Sequence, residues 1–397
     1  MAPDNTPNPA PVSLPALFLI FLRLGLTSFG GPVAHLGYFR SEFVERRRWL
    51  DHHAYADLVA LCQFLPGPAS SQVGIALGLS QRGLPGALMA WLGFTLPAAL
   101  LLVAFALMLT QLGLAHAGWL HGLKVVAVAV VAQALWAMGR TLCPDRERAT
   151  LAVGATLVAT LLPSAYTSLA IIAGSGLLGW RLLSPAAELP HSELPLRLSA
   201  RAGLISLGLF LALLLLLPLW AGHSDNLLLQ LFAGFYQAGA LVFGGGHVVL
   251  PLLQNLVVPA GWVDNNHFLA GYGAAQAMPG PLFSFAAYLG AIASGWAGAV
   301  VATVAIFLPG ALLVIGALPL WENLRRHPAM QRATLGINAA VVGLLLAAFY
   351  NPVWSSGVLN ARDFVLAAVC FLALVFWKLP PWLVVLAAAA VAGLGFN

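Results

Sequence analysis

Residues 63–71 read QFLPGPASS and residues 276–284 read QAMPGPLFS, 213 positions further along the chain. Both copies share the frame Gln-x-x-Pro-Gly-Pro-x-x-Ser, and both lie in strongly apolar sequence. Proline has no N–H group to donate and clashes with the preceding helical turn, and the residue before a proline is pushed toward an extended conformation. Two helices are therefore predicted to break at the two Pro-Gly-Pro segments.

The composition predicts a polytopic membrane protein. Of 397 residues, 60% are apolar and 8% are charged, whereas charged residues make up about 25% of a typical soluble domain. Residues 268–320 carry no charge, and a helix needs about 20 residues to cross the hydrocarbon of a bilayer. We therefore expect an all-α chain of many spans surrounded by lipid. The basic residues lie mostly in short loops between spans, where topology explains them, so they do not indicate nucleic-acid binding.

Catalytic and metal-binding signatures do not emerge from the sequence. The three cysteines lie far apart, and the ten histidines show no metal-ligand spacing. The sequence contains no nucleophile–base set and no phosphate loop. We therefore expect neither enzymatic activity nor a metal or cofactor.

The Pro-Gly-Pro frame belongs to a longer internal repeat, whose matches keep their order while their spacing drifts by only a few residues. The matches are Phe29-Gly30-Gly31 with Phe243-Gly244-Gly245, Trp49-Leu50-Asp51 with Trp262-Val263-Asp264, and Leu96-Pro97 with Leu308-Pro309. We expect a disordered tail at 1–13, and then two homologous repeats of about five to six helices each, at 14–183 and 227–397. A linker with one connector helix is predicted at 184–226.

Positive charges predict that the two repeats have inverted topology. The loop at 40–48 carries four arginines, but its counterpart at 247–265 has no lysine or arginine. Conversely, 111–121 has none, whereas its counterpart at 321–332 has three arginines. Cytoplasmic loops are enriched in Lys and Arg, so the charge swap places equivalent loops on opposite sides. The apolar segment at 202–220 supplies the odd span that inversion requires.

A helix that breaks inside the membrane and restarts exposes free N–H groups that carry partial positive charge and bind anions. Such a break is tolerated only where protein covers it or where it lines a cavity, and inverted-repeat transporters bind substrate at breaks of this kind. The alternative is a proline kink used only for packing. The residues predicted to form a substrate site are Gln63, Pro66, Gly67, Pro68 and Ser71 in the first repeat, and Gln276, Pro279, Gly280, Pro281 and Ser284 in the second.

The glycine motifs have two interpretations. Gly30 and Gly31, with Gly244 and Gly245, could form close helix packing or a second pair of breaks. In the second interpretation these glycines also belong to the substrate site.

Two cations are predicted within the membrane. Arg23 lies in the first apolar segment and Lys124 in GLKVVAVAVV, and an intramembrane charge indicates a functional site by default. The counterpart of Lys124 in the second repeat is Asn338. No carboxylate is expected at the same depth, so a pocket formed by these residues suits an anion. Lys124 could instead extend its amine to the membrane surface.

Two histidines follow the glycine motifs closely. His35 and His247 could donate a hydrogen bond to the substrate, carry a proton, or simply be solvated.

The combined motifs resemble the signature of the chromate ion transporter family, in its long two-domain form. The similarity rests on FGGPVAHLGYFRSEFVERRRWLD and LVALCQFLPGPASSQVG in the first repeat, and on FGGGHVVLP, GWVD and QAMPGP in the second. The resemblance implies export of chromate across the bacterial inner membrane, driven by the proton motive force, with sulfate as the look-alike substrate. It also implies that the motif residues line the substrate path.

Three interpretations remain open at this point. The chain could export chromate by alternating access, transport another small anion such as sulfate or an organic acid, or act as a structural or signalling subunit without a pore. In the last case Arg23, Gln63 and Gln276 would face lipid or packed side chains. Protons are a candidate coupling ion through histidine, with uniport as the alternative, and assembly as a homodimer is also open.

Overall fold

The computed structural model describes residues 12–112, 118–162, 165–184, 199–243, 249–321 and 327–395, and the regular secondary structure of these residues is entirely helical. The all-α prediction is therefore confirmed. The helices are α1 (Leu14–Thr27), α2 (Gly31–Arg40), α3 (His52–Phe64), α4 (Ala69–Leu112), α5 (Gly118–Leu142), α6 (Arg146–Leu161), α7 (Ala165–Leu182), α8 (Ala200–Gly222), α9 (Leu227–Ala240), α10 (Val249–Val257), α11 (Asn265–Ala277), α12 (Phe285–Ala317), α13 (Pro328–Ala348), α14 (Ala361–Val375) and α15 (Pro381–Gly395).

Several of these helices are membrane spans by length and composition, so the chain is a multi-pass membrane protein. Within the described residues, five segments are long and apolar enough to cross a bilayer: Ala69–Gln111, Gly118–Leu142, Ala200–Gly222, Leu282–Leu320 and Pro328–Gly357. Seven described helices fall in each repeat, more than the five to six expected, because each repeat begins with helices that fold back as hairpins.

The first hairpin of the first repeat is formed by α1 and α2. The ring of Phe21 in α1 lies 5.9 Å from that of Phe39 and 5.1 Å from that of Phe43, centroid to centroid, so the chain after α1 runs back along it. The turn is made at Gly30 and Gly31, whose φ angles of +97° and +75° lie in the left-handed region that favours glycine. The glycine motif of the first repeat is therefore a break, which we call the glycine tip (28–31).

The second hairpin is formed by α3 and the start of α4. His35, near the start of α2, lies 3.4 Å from Ser70 at the start of α4, whereas Arg40, at the end of α2, lies 3.5 Å from His52 at the start of α3. Further along α4, a Cβ added at Gly74 would lie 3.5 Å from Phe39 of α2, so α4 starts out parallel to α2. Helix α3 runs in the opposite direction to both. The Pro-Gly-Pro segment at 65–68 is the turn between α3 and α4, and we call it the proline tip. It turns back and does not cross.

The chain folds back once more inside α4. Arg82 and Gly83 leave the helical conformation, with φ of +60° at Gly83, and a Cβ added at Gly78 would clash with the carbonyl oxygen of Gly86. In a continuous helix, residues eight apart would be about 12 Å apart. The part after the turn, residues 84–112, is about 43 Å long at 1.5 Å per residue and crosses the whole membrane.

The second repeat uses the same design. Ser294 and Gly295 in α12 have backbone angles within about 10° of those at Arg82 and Gly83. The hydroxyl of Tyr288 donates to the carbonyl of His267 at 2.9 Å, which pairs the start of α12 with α11 in a hairpin around the second proline tip (278–281). Equal conformations at equivalent positions are direct structural evidence for the repeat.

The two repeats have opposite orientations in the membrane. Nε of Arg82 donates to the carbonyl of Val12 at 2.7 Å, so the first repeat begins at the membrane face where the 84–112 crossing starts. That crossing ends at the other face, where α5 begins, and there Nζ of Lys124 lies 3.2 Å from Oδ1 of Asn266. Asn266 follows Asp264, so the loop before α11 lies at this second face. The counterpart of Asp264 is Asp51, in the loop before α3, and that loop lies at the face where the first repeat begins because α2 runs back along α1. Equivalent loops therefore lie on opposite faces. We call the face with the arginine-rich 40–48 loop the inner face.

The repeats are interlocked because each places one long helix inside the other. Helix α5 packs among α11, α14 and α15 of the second repeat, and α13 packs against α6 and α7 of the first. These contacts are close: a Cβ at Gly122 of α5 would lie 2.5 Å from the carbonyl oxygen of Ala388 in α15. The interlock makes the two repeats one structural unit.

Gly122→Leu is therefore expected to disrupt the interlock. The new side chain would meet the backbone of α15, and overpacking of a close interface costs about 1–3 kcal/mol or more. The melting temperature of the purified protein, measured in detergent, should fall by several degrees. Gly139→Leu is the control, because it lies on the same helix with no atom within 4 Å of an added Cβ. Equal melting temperatures for the two variants would contradict the interlock.

Candidate functional site

The hairpin tips of the two repeats meet and bond to each other. The backbone N–H of Gly67, in the first proline tip, donates to the carbonyl of Val242 at 2.7 Å. The N–H of Gly280, in the second proline tip, donates to the carbonyl of Ser28 at 2.9 Å. Ser28 and Val242 each directly precede a Phe-Gly-Gly motif, so the two bonds are equivalent under the repeat. The proline tip of each repeat therefore docks where the glycine motif of the other begins.

Each proline tip is also wedged against the long crossing helix of the opposite repeat. Gly67 has φ of +121°, and a Cβ there would lie 3.2 Å from Cα of Gly310 in α12. Gly280 has φ of +96°, and its Cβ would lie 3.1 Å from Cβ of Ala98 in α4. Gly310 and Ala98 each follow a Leu-Pro motif of the repeat. Both conformation and space therefore restrict the two tip positions to glycine.

Buried polar atoms without a protein partner concentrate at these tips. Leaving such an atom unpaired costs about 1–3 kcal/mol, so a group of them indicates a place built to bind a polar ligand. Within the described residues, the atoms at or beside the tips are Oγ of Ser28, Nε2 of His35, Oγ of Ser71, Oε1 of Gln72, Oγ1 of Thr95, Nε2 of Gln276 and Oγ of Ser284. Ser28, Gln72 and Ser284 are 0% exposed, so this centre is buried inside the protein.

His35 occupies the first turns of α2, beside the glycine tip. Its Nδ1 lies 3.4 Å from Oγ of Ser70, and its ring meets the edge of Phe94 at 5.3 Å. Phe94 lies in the crossing helix next to the second proline tip, since its carbonyl oxygen would be 3.3 Å from a Cβ at Gly280. His35 therefore lies between tips of both repeats, with its ring beside the backbone of Ser28 and its Nε2 buried.

Backbone donors add to the side-chain donors. The first bond within α4 runs from the N–H of Gln72 to the carbonyl of Pro68, at 2.9 Å. By helix geometry, the N–H groups of residues 69–71 precede that bond and have no partner within the helix. Free N–H groups at a helix start favour an anion. Hydroxyls, an imidazole and such N–H groups together form a neutral donor set suited to a small oxyanion.

Some predicted residues lie away from this centre. Arg23 is exposed, on a face of α1 that also carries Leu19 and Leu26, and its guanidinium has no partner among the described residues. Gln63 is exposed on α3, whereas its counterpart Gln276 is half-buried with an unpartnered Nε2. The first glutamine and the arginine therefore do not share the buried centre.

The other predicted residues divide between the centre and its surroundings. Pro68, Pro279 and Pro281 are buried at the proline tips and Pro66 is half-buried there. Lys124 lies near the outer face, bonded to Asn266, and Asn338 is half-buried in α13 with Oδ1 unpartnered. Gly244, Gly245 and His247 lie outside the described residues.

Several polar residues beside the tips are not predictable from the sequence. Ser28, Ser70, Gln72 and Thr95 belong to no repeated frame, and only the fold shows that they adjoin the tips. Two carboxylates are also buried inside the protein, since Asp57 in α3 and Asp363 in the first turn of α14 are 3% and 0% exposed. Asp363 stands in the polar stretch Asn360–Asp363, which looks like an exposed loop. Its burial depends on helices distant in sequence.

The fold and the buried donor site together define a multi-pass membrane transporter built from inverted repeats. The sequence pattern of the chromate transporter family matches residues 15–180 and 229–394, one match for each repeat. The chain therefore belongs to the chromate transporter family, and the resemblance read from the motifs is confirmed.

Several proteins are similar in sequence to this chain, and two of the alignments extend over most of it. A chromate transport protein of Pseudomonas aeruginosa is 32% identical over 85% of this chain and 80% of its own length. A probable chromate transport protein of Synechococcus elongatus is 29% identical over 97% of this chain and 96% of its own length. An uncharacterized transporter of Bacillus subtilis is 29% identical over 42% of this chain but 96% of its own length, so it corresponds to about one repeat. No solved structure matches the chain.

Proposed function

We propose that this protein exports chromate from the bacterial cytoplasm across the inner membrane by alternating access, and so confers chromate resistance. The observation that carries the proposal is the group of buried polar atoms without a protein partner, most of them donors, where the tips of two inverted repeats meet. Relatives from Pseudomonas aeruginosa and Synechococcus elongatus named as chromate transport proteins support the choice of substrate. The proposal includes no enzymatic activity.

The donor set suits a tetrahedral dianion. Hydrogen bonds from neutral donors to a charged group contribute about 1.5–3 kcal/mol each, so several of them offset the desolvation of chromate. The tips that supply the donors also enclose the buried centre. Movement of one proline tip away from its partner repeat would open the centre to one face, and the inverted repeat makes the opposite movement available at the other.

The membrane potential favours export. A dianion leaving a negative interior gains about 4.6 kcal/mol per 100 mV, twice the value for a single charge. That energy corresponds to a concentration ratio of about a thousandfold or more. Uptake of the same ion would need about two protons merely to cancel this opposition.

Sulfate is the second candidate substrate, because it has the same tetrahedral shape and charge as chromate and would meet the same donors. Chromate flux into inside-out vesicles tests both, with sulfate added as competitor and with potential and pH gradient set separately. Chromate uptake that depends on the chain supports the proposal. Uptake of sulfate with no chromate flux would assign the site to the other anion, and no flux of either would favour a structural or signalling subunit.

Arg23 is proposed to act on the anion only through its charge, from outside the centre, because it lies on the exposed face of α1 with Leu19 and Leu26. Because Arg23 lies outside the buried donor set, Arg23→Ala should raise the KM for chromate several-fold and leave kcat nearly unchanged. Arg23→Lys retains the charge and should recover most of the affinity. The measurement is initial chromate flux against concentration in vesicles. An unchanged KM in Arg23→Ala would show that the side chain serves only membrane placement.

A further inference from the structure

A cluster of ionisable side chains lies outside the central site, at the outer face. Nε2 of His121 in α5 lies 2.9 Å from Oδ1 of Asp363 in α14. Nearby, at the start of α11, the ring of His267 contacts the carboxylate of Asp264. Lys124 lies one helical turn from His121 on the same side of α5. Two histidine–carboxylate pairs and one lysine therefore share this corner of the molecule.

The His121–Asp363 pair combines a fully buried acid with a partly exposed base. The side chain of Asp363 is 0% exposed and that of His121 is 21% exposed. A buried carboxylate is stable only if it is paired and hydrogen-bonded, so Asp363 requires its histidine. Imidazole gains and loses a proton near physiological pH. The 2.9 Å contact keeps the carboxylate paired whether or not the imidazole carries a second proton.

Among the residues that the structure describes, few other charged groups surround the pair. On α5 the neighbour is Lys124, whose Nζ bonds Asn266 at 3.2 Å, and on α14 it is the exposed Arg362. On α11 they are Asp264 and His267. Burial acts to raise the pKa of the Asp264 carboxyl, but hydrogen bonds from the backbone and ring of His267 outweigh it and lower that pKa. Helix α15 has no ionisable residue.

The cluster is asymmetric and is linked to the central site. In the first repeat the counterpart of Asn266 is His53, and in the second the counterpart of Lys124 is Asn338, so the same set of charges is not repeated at the inner face.

Helix α11 begins at the cluster and ends at the second proline tip, where Gly280 docks on Ser28. A change in charge at the outer end of α11 therefore acts on the helix that carries a tip of the substrate site.

We propose that His121 and Asp363 form the site where a coupling proton is taken up from the outer solution during transport. This inference rests on the proposed function, since it names the coupling ion of the same transporter. One proton from outer water binds the imidazole of His121, and the hydrogen bond to Asp363 becomes a salt bridge. The stronger link draws α5 and α14 together beside α11, and release of the proton reverses the change.

A purely structural role is separable from proton uptake. Oδ2 of Asp363 also accepts from the N–H of Leu359 at 2.9 Å, so a change of Asp363 would disturb the loop before α14. His121→Gln separates the two roles better than a change of Asp363. The glutamine amide can still donate a hydrogen bond to Asp363, but it binds no proton near neutral pH. The matched control is His223→Gln at the end of α8, where an exposed histidine bonds the carbonyl of Leu219 at 2.8 Å.

The experiment uses the purified full chain in proteoliposomes, with the membrane potential clamped. One arm measures chromate accumulation driven by an imposed pH gradient, and the other measures exchange of labelled chromate with no gradient. His121→Gln should lose pH-driven accumulation by about tenfold or more, a difference of about 1.4 kcal/mol in driving free energy. Exchange should stay within about twofold of the unmodified protein. His223→Gln should match the unmodified protein in both arms.

Three outcomes would overturn the proposal. Unaltered pH-driven accumulation in His121→Gln would show that the pair takes up no coupling proton. Equal loss in both arms would assign the pair a structural role. If the unmodified protein exchanges chromate but its accumulation does not respond to the pH gradient, proton coupling is excluded and chromate transport stands. If the unmodified protein does not exchange chromate at all, the proposed function itself is wrong.

Discussion

Gly67→Ala is expected to reduce chromate transport by at least about tenfold, and Gly67→Leu to abolish it. A non-glycine residue in the left-handed region costs about 1–2 kcal/mol, and a Cβ at this position would lie 3.0 Å from Nε2 of Gln72 and 3.2 Å from Cα of Gly310. The tip would have to move, which would break the 2.7 Å bond from the N–H of Gly67 to Val242. Chromate flux in vesicles, normalised to folded protein, measures the effect.

Gly280→Ala should behave like Gly67→Ala, because the two positions are equivalent in the repeat. The control is Gly37→Ala in α2, where an added Cβ meets no atom within 4 Å and φ is not left-handed. It should transport like the unmodified protein. Normal flux in both tip variants would contradict the idea that the docked tips position the substrate donors.

Removal of two hydroxyls should weaken chromate binding without weakening the fold. Ser71 and Ser284 are equivalent buried serines beside the two proline tips, and neither hydroxyl has a protein partner. Each bond to a charged ligand is worth about 1.5–3 kcal/mol, so Ser71→Ala with Ser284→Ala should raise the Kd for chromate by about a hundredfold or more. The melting temperature without chromate should not fall, because no internal hydrogen bond is lost.

The matched control for the serines is Ser206→Ala. Ser206 is also buried, but its hydroxyl donates to the carbonyl of Leu312 at 2.8 Å, in the packing between α8 and α12. This change should lower the melting temperature and leave the Kd unaltered. A reversed pattern, with stability lost in the double variant and affinity retained, would make the tip serines structural.

Much of the fold can be predicted from the sequence alone, because the repeat and the charges are visible in short stretches of sequence. Pro-Gly-Pro breaks a helix because of its own backbone restrictions, and the arginines at 40–48 predict which loop faces inward. The direction of the chain after each break is not a local property. Only the contacts of Phe21 with Phe39, and of Tyr288 with His267, show that both kinds of break are hairpin turns.

The site was less predictable than the fold. The sequence predicts Gly67 and Gly280 because a break needs them, and both lie in the centre. It also predicts Arg23 and Lys124 as intramembrane charges, but the structure places the first on an exposed face and the second near the outer face. Thr95 gave no signal, because a lone polar residue in an apolar helix becomes informative only when its neighbours across the repeats are known.

The location of chromate bound to the purified protein tests the central claim most directly. Anomalous scattering from chromium in crystals grown with chromate would give the position of the ion. We expect a single strong peak between the two proline tips, within hydrogen-bonding distance of the hydroxyls of Ser71 and Ser284 or of Nε2 of His35. A chromium peak confined to Arg23, Lys124 or another surface cation, with the tips still docked and no ion between them, would contradict the account.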